Sequence, residues 1–160
     1  DELIHFTRTQ FFYLLSRLRS VCGVRPYVRA TTNPDAASWV RQFVGWWIDP
    51  ALGVPVIERA GVVRWLYVVN DEAEWYDTRD LAEAAHPDLA AVAPPKSVTF
   101  IPATLDDNPA LTAADPNYRA NLLALSFVER GRLLGGNWNV MRRIGCTGSA
   151  NAWGGNVEDR

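Results

Sequence analysis

The stretch from Asp1 to Pro34 constrains the fold more than any other part of the chain. It opens on two adjacent carboxylates, Asp1 and Glu2, and runs into a segment where Phe11, Leu14, Leu15 and Leu18 recur at i, i+3, i+4 and i+7. That spacing lays one apolar stripe along a 3.6-residue period and predicts a helix. Pro26–Thr32 then has the β-branched and aromatic content of a strand, and Asn33-Pro34 breaks it. The order is acidic pair, helix, strand, polar strand end. In open α/β sheets, ligands bind outside the carboxyl ends of the strands. A strand ending just before Asp1 would put its carboxylates and the Thr31-Thr32-Asn33 tip on one edge of one sheet.

Such an edge suits nucleoside-triphosphate chemistry, where the protein mainly positions groups and stabilises charge. One carboxylate can hold Mg²⁺, its neighbour can polarise the attacking water, and a side-chain amide on the next strand can sense that water or the terminal phosphate. Each motif alone has a plainer reading. Acids are favoured at helix N-termini, and Thr-Thr-Asn-Pro is ordinary turn chemistry. Together, with a helix between them, they are much more specific.

Asp1-Glu2 is followed by His5-Phe6, Gln10, Ser16-Arg17-Leu18-Arg19 and Thr31-Thr32-Asn33-Pro34. With these, the chain resembles the large terminase subunit of tailed bacteriophages, the ATP-driven motor that packages double-stranded DNA into capsids. A later stretch resembles it too: Ser97–Thr104, Asp107-Asn108-Pro109, Asp115-Pro116, Tyr118 and Glu129–Trp138. The resemblance spans Asp1 to Trp138. It implies that Asp1 and Glu2 end a Walker B strand, Asp1 holding Mg²⁺ and Glu2 activating water. It also implies that Asn33, with Thr31 and Thr32, forms the coupling motif beside ATP. The implied partners are double-stranded DNA, the portal protein and the small terminase subunit, with further copies of the chain in a ring. The implied location is the host cytoplasm, at the capsid portal.

The global composition is neutral on these points. The chain is 48% hydrophobic and 21% charged with a net charge of −2, so nothing global suggests a membrane or nucleic-acid partner. Fifteen of the sixteen basic residues are Arg, Lys96 being the exception. Arginine suits bidentate phosphate contacts, but a GC-rich coding bias gives the same skew. Cys22 and Cys146 are too few for a disulfide framework and read as reduced thiols of a cytosolic protein. No apolar run approaches the ~20 residues of a membrane span.

Further along, Asp35 is the expected cap of a second helix, with Trp39, Val40, Phe43, Val44 and Trp47 as its buried stripe and Asp49-Pro50 as its end. The tryptophans Trp39, Trp46 and Trp47 read as core, with an aromatic platform for bases as the sharper alternative. Val54–Arg59, a turn at Ala60-Gly61 and Val62–Val69 predict a hairpin, and Glu74–Tyr76 a short third strand. Thr78 caps a short helix closed by His86-Pro87; Ala90–Pro95 reads as loop and Ser97–Ala103 as strand. His5 and His86 lack a second His or Cys at ligand spacing and read as structural. Asp106-Asp107-Asn108-Pro109 invites a metal hypothesis but is also ideal turn chemistry, the reading preferred here. A long helix is expected from Asp115-Pro116 to Gly135-Gly136, with Glu129, Arg130 and Arg132 on a solvated face. In a ring, one of these arginines could meet a neighbouring subunit. Met141–Arg160 lacks periodicity and predicts a poorly ordered tail.

The fold class expected is α/β: the C-terminal half of an incomplete P-loop NTPase (RecA-like) sheet, followed by a small hairpin and helical linker. Its parts are 1–50, the ATPase core from the Walker B end to the coupling motif; 51–95, a hairpin and short-helix insertion; 96–138, a strand plus helix; and 139–160, the tail. No G-x-x-x-x-G-K-[ST] loop is present. Tight ATP binding by this stretch alone is therefore not expected, and Tyr27–Thr32 should have an unpaired edge and marginal stability. The resemblance implies that the Walker A region precedes this sequence and a nuclease domain follows it, as in a truncated or frame-shifted gene or a partial sequence. Another RecA-like DNA motor shares the acidic pair and sensor strand. A non-enzymatic aromatic and Arg-rich binding module is the reading from a different class.

Overall fold

Helix formation begins where the sequence supplies a cap. In the computed structural model, which describes residues 2–141, the Thr7 hydroxyl accepts from the Gln10 backbone N–H. The Gln10 side chain accepts from the Thr7 N–H in return, closing a capping box on α1, Arg8–Ser16. The stripe read from the sequence lies on this helix in part. Phe11 and Leu15 are half-buried, but Leu14 and Leu18 are exposed, and Leu18 lies past the helix end.

The expected strand Pro26–Thr32 does not form. The Thr31 carbonyl accepts from the Leu3 N–H (2.9 Å), and among the described residues no neighbouring strand pairs with Tyr27–Ala30. β-propensity marks a chain suited to a sheet but cannot supply the second strand.

Ser38 rather than Asp35 caps α2, Trp39–Phe43, while the Asp35 carboxylate accepts from the Ala37 N–H one turn earlier. Val40, Val44 and Trp47 are buried as the stripe required. The Asp49 carboxylate then holds the Ala51 and Leu52 N–H groups (both 2.8 Å) and turns the chain.

The expected hairpin is displaced by one element. Val54–Arg59 carries no strand: Pro55 makes an isolated bridge to Ile48, and Ile57–Arg59 is a single 3-10 turn. The hairpin joins β1, Val63–Val69, to β2, Glu72–Tyr76. Asn70 and Asp71 both take positive φ (51° and 65°), as a two-residue turn matching strand twist demands, and Asn and Asp tolerate that region. After α3, Arg79–Ala85, capped by Thr78 as expected, α4 covers Pro87–Ala90. Next comes β3, Lys96–Thr99, which pairs antiparallel with β1. Among the described residues the sheet has three strands, all antiparallel, in the order β2-β1-β3.

Asp106-Asp107-Asn108-Pro109 is turn chemistry, as expected. Thr104 and Asp107 form a capping box, and Asn108 caps α5, Pro109–Ala114, with Pro109 in its first turn. The single long helix expected beyond Asp115 is two: α6, Asn117–Leu123, and α7, Phe127–Leu133. Ser126 restarts the helix through a capping box with Glu129, a Ser-x-x-Glu signal present in the sequence.

The core gathers Val40, Val44, Trp47, Ile48 and Trp138, with Leu3, Trp75, Val98 and Phe100 packed against it. It draws on the segments 1–50, 51–95 and 96–138 alike. Asn139, assigned from sequence to the tail, is tied in: it accepts from the Arg41 guanidinium and donates to the Pro50 carbonyl (2.9 Å). The remainder of the expected tail, residues 142–160, lies outside the described residues, as does Cys146.

Candidate functional site

Glu2 of the acidic pair and the polar Thr31–Asn33 tip meet, although the strand expected to end in that tip does not form. The Asn33 amide Nδ2 donates to Glu2 Oε1 at 2.8 Å. The Leu3 N–H to Thr31 carbonyl bond lashes the same two segments together by backbone. Glu2 holds a left-handed conformation (φ 51°, ψ 62°), costly for a residue with a Cβ. Both side chains are half-buried, so the bond is partly shielded from water. Thr32, also half-buried, donates its hydroxyl to the Asn33 carbonyl (3.1 Å), and Thr31 is exposed. Asp1 lies outside the described residues.

A further residue reaches this rim from the far end of the chain. Arg132 donates Nε to the Pro34 carbonyl and pairs through Nη2 with Asp35 (2.9 Å). It was expected on a solvated face and instead clamps the two residues that follow Asn33. Arg130 is exposed as expected. No local pattern announces Arg132, because its partners lie 98 and 97 positions away.

Among the described residues no group of three or more His, Cys, Asp or Glu side chains is assembled to hold a metal. Mg²⁺ needs only one or two protein carboxylates beside phosphates and water; among the described residues this rim offers Glu2, with the Asn33 amide 2.8 Å away. A triphosphate has no such fit: the sequence contains no phosphate loop, and Lys96 lies on β3 after two prolines.

His86 is structural. Its Nε2 is 2.9 Å from both the Tyr76 hydroxyl and Glu74 Oε2. The Tyr76 bond, with His86 behind it, holds the Glu74 carboxyl below its ordinary range, while partial burial and the Glu74 carboxylate push the Tyr76 phenol up. The aromatic platform is also set aside for Trp47, fully buried, and Trp39, whose Nε1 donates to the Phe6 carbonyl (2.7 Å). Trp46 packs edge-to-face with Trp47, and the guanidinium groups of Arg59 and Arg64 lie over its ring. Cys22 is an exposed free thiol. No helix among the described residues is long and apolar enough to cross a membrane.

No curated protein and no solved structure matches the chain. The family described as "Terminase large subunit, T4likevirus-type, N-terminal" matches residues 1–153, past the Trp138 limit of the resemblance read from motifs. This match runs almost the length of the sequence, and the chain belongs to the T4likevirus-type terminase large subunit family, in its N-terminal part.

Proposed function

We propose that this chain is the part of a packaging ATPase that carries its hydrolytic carboxylates and its coupling motif, in a motor that drives double-stranded DNA into a capsid. The observation that carries the reading is the Asn33 Nδ2 to Glu2 Oε1 hydrogen bond. It ties the proposed water-activating carboxylate to the proposed sensor, so a shift at position 33 reorients Glu2. In the complete subunit Asp1 would hold Mg²⁺, which would neutralise phosphate charge, and Glu2 would take the proton from the attacking water. Thr31 and Thr32 would position Asn33 beside the terminal phosphate. Arg132, anchored on Pro34 and Asp35, would pass movement of that loop to α7.

The proposed architecture is a RecA-like sheet lacking a strand. Tyr27–Ala30 makes no backbone hydrogen bond among the described residues, and a cleft of about 620 Å³ runs between the walls formed by Tyr27–Pro34 and Val98–Thr104.

Glu2→Gln in a complete large subunit carrying this chain tests the assignment. Glutamine retains an oxygen to accept from Asn33, so the rim stays intact while the base is lost. A positioned general base is worth ~10²–10⁴-fold; ATP turnover should fall by that factor with nucleotide affinity kept. Hydrolysis at close to the wild-type rate would remove Glu2 from the chemistry.

A further inference from the structure

Residues 3–34 hold five of the sixteen basic residues, Arg8, Arg17, Arg19, Arg25 and Arg29, and none of the eighteen acidic ones. Everything else in the sequence is the reverse, eleven basic residues against eighteen acidic. A net charge of −2 therefore conceals a strongly segregated distribution.

The fold keeps this positive segment at the surface. Arg17, Arg19, Arg25 and Arg29 are all exposed. Arg17 turns back only onto Tyr13, donating to its hydroxyl at 2.6 Å. Among the described residues, Arg19, Arg25 and Arg29 have neither a hydrogen bond nor an ion pair. Arg25 borders a cleft of about 550 Å³ with Lys96 also in its lining. Arg29 borders the adjoining 620 Å³ cleft, which shares Phe11, Tyr27 and Val98 with the first. Among the described residues no carboxylate lines either one.

We propose that the exposed segment Arg17–Arg29, with Lys96 lining the same cleft as Arg25, seats the phosphate backbone of double-stranded DNA. Guanidinium groups without an internal partner are ready to donate to phosphate oxygens in bidentate fashion, and a clustered run of arginines is the electrostatic footprint of a duplex. Trp39, Trp46 and Trp47 are engaged in the core and with arginines, so they offer no platform for unstacked bases; backbone contact is what remains. The choice of DNA over other polyanions rests on the packaging function proposed above.

The test is fluorescence anisotropy of a labelled 30-base-pair duplex of arbitrary sequence, titrated with the 160-residue chain across a NaCl series. Each phosphate contact contributes ~0.9 to the slope of log Kobs against log salt. The variant R19Q/R25Q/R29Q should flatten that slope by about 3. The charge-matched control R79Q/R119Q/R130Q, at positions outside this segment, should leave it nearly unchanged. Tryptophan emission identical to wild type in both variants verifies that each is folded. Equal losses in the two variants would reduce the effect to net charge and overturn the proposal. So would an unchanged slope in R19Q/R25Q/R29Q, including the case where that variant loses an acidic protein partner instead. Failure of wild type to bind duplex at low salt would overturn it as well. The Glu2→Gln turnover assay reads a different quantity, so either result can fail while the other stands.

Discussion

Among the described glycines, Gly53 leaves the least room for a Cβ. Its φ is +73°, and a Cβ there would lie 2.5 Å from Asn137 Oδ1 and 2.7 Å from the Asn139 Cβ. Neither asparagine can step aside cheaply: Asn137 donates to the Leu52 carbonyl and Asn139 to the Pro50 carbonyl. Gly61 has nearly the same φ, +76°, with nothing within 4 Å of its Cβ position. Gly61→Ala therefore isolates the left-handed cost, about 1–2 kcal/mol, and Gly53→Ala should cost clearly more. Urea midpoints for the two variants give the comparison, and equal losses would mean that the asparagines relax freely. At this scale the site was legible where function and chemistry share neighbours in sequence. Glu2 and Asn33 could be paired because a recognisable motif marks each end. Arg132 could not, because its partners are supplied by the far end of the chain and nothing about the run Glu129–Leu133 distinguishes an anchored arginine from a solvated one.

Elements were read unevenly where a capping side chain marks a start, and poorly where a partner strand decides. Thr78 announces α3 through chemistry confined to three or four residues, whereas the turn reading of Asp106–Pro109 missed that Asn108 starts α5, and Asp35 and Asp115 do not cap the helices expected of them. Pro26–Thr32 has strand composition without a strand to pair with, and Val54–Arg59 has it with Pro55 in its way. The division between α6 and α7 was visible as Ser126-Phe127-Val128-Glu129, but the apolar spacing from Tyr118 to Leu133 runs smoothly through it and masks the break. Periodicity cannot see a helix restart that preserves its phase. Ser126→Ala tests whether the cap defines α7. The serine hydroxyl accepts from the Glu129 N–H and donates to its carboxylate, and such a cap is worth ~1 kcal/mol. Amide hydrogen exchange should quicken in the first turn of α7 and leave α6 as it was. Uniform exchange in both helices would mean that tertiary contact, and not the cap, starts α7.

The whole molecule closes on itself through Trp138. Its backbone N–H donates to the Gly53 carbonyl at 2.7 Å, and its indole is 2% exposed, edge-on to Phe100 at 6.1 Å. That one side chain joins the end of the described chain to the core built by α2 and to the strand extension beyond β3. It also explains why the rim at Glu2 and Asn33 can exist without a strand beneath it. Val40, Val44 and Trp138 pack with Leu3 on one cluster, so the segments bearing Glu2 and Asn33 are held from the core side. Arg132 secures Pro34 and Asp35 from the helix side. Truncating a buried tryptophan costs ~3–5 kcal/mol, a large share of the ~5–15 kcal/mol that stabilises a typical domain. Trp138→Ala should therefore lower the urea midpoint far more than Trp46→Ala, whose indole is half-buried beneath two arginines. Because the core also holds the rim, Trp138→Ala should loosen the Leu3 amide, measured by hydrogen exchange, before global unfolding. A Leu3 amide as protected as in wild type would separate the rim from the core and leave Arg132 as its support.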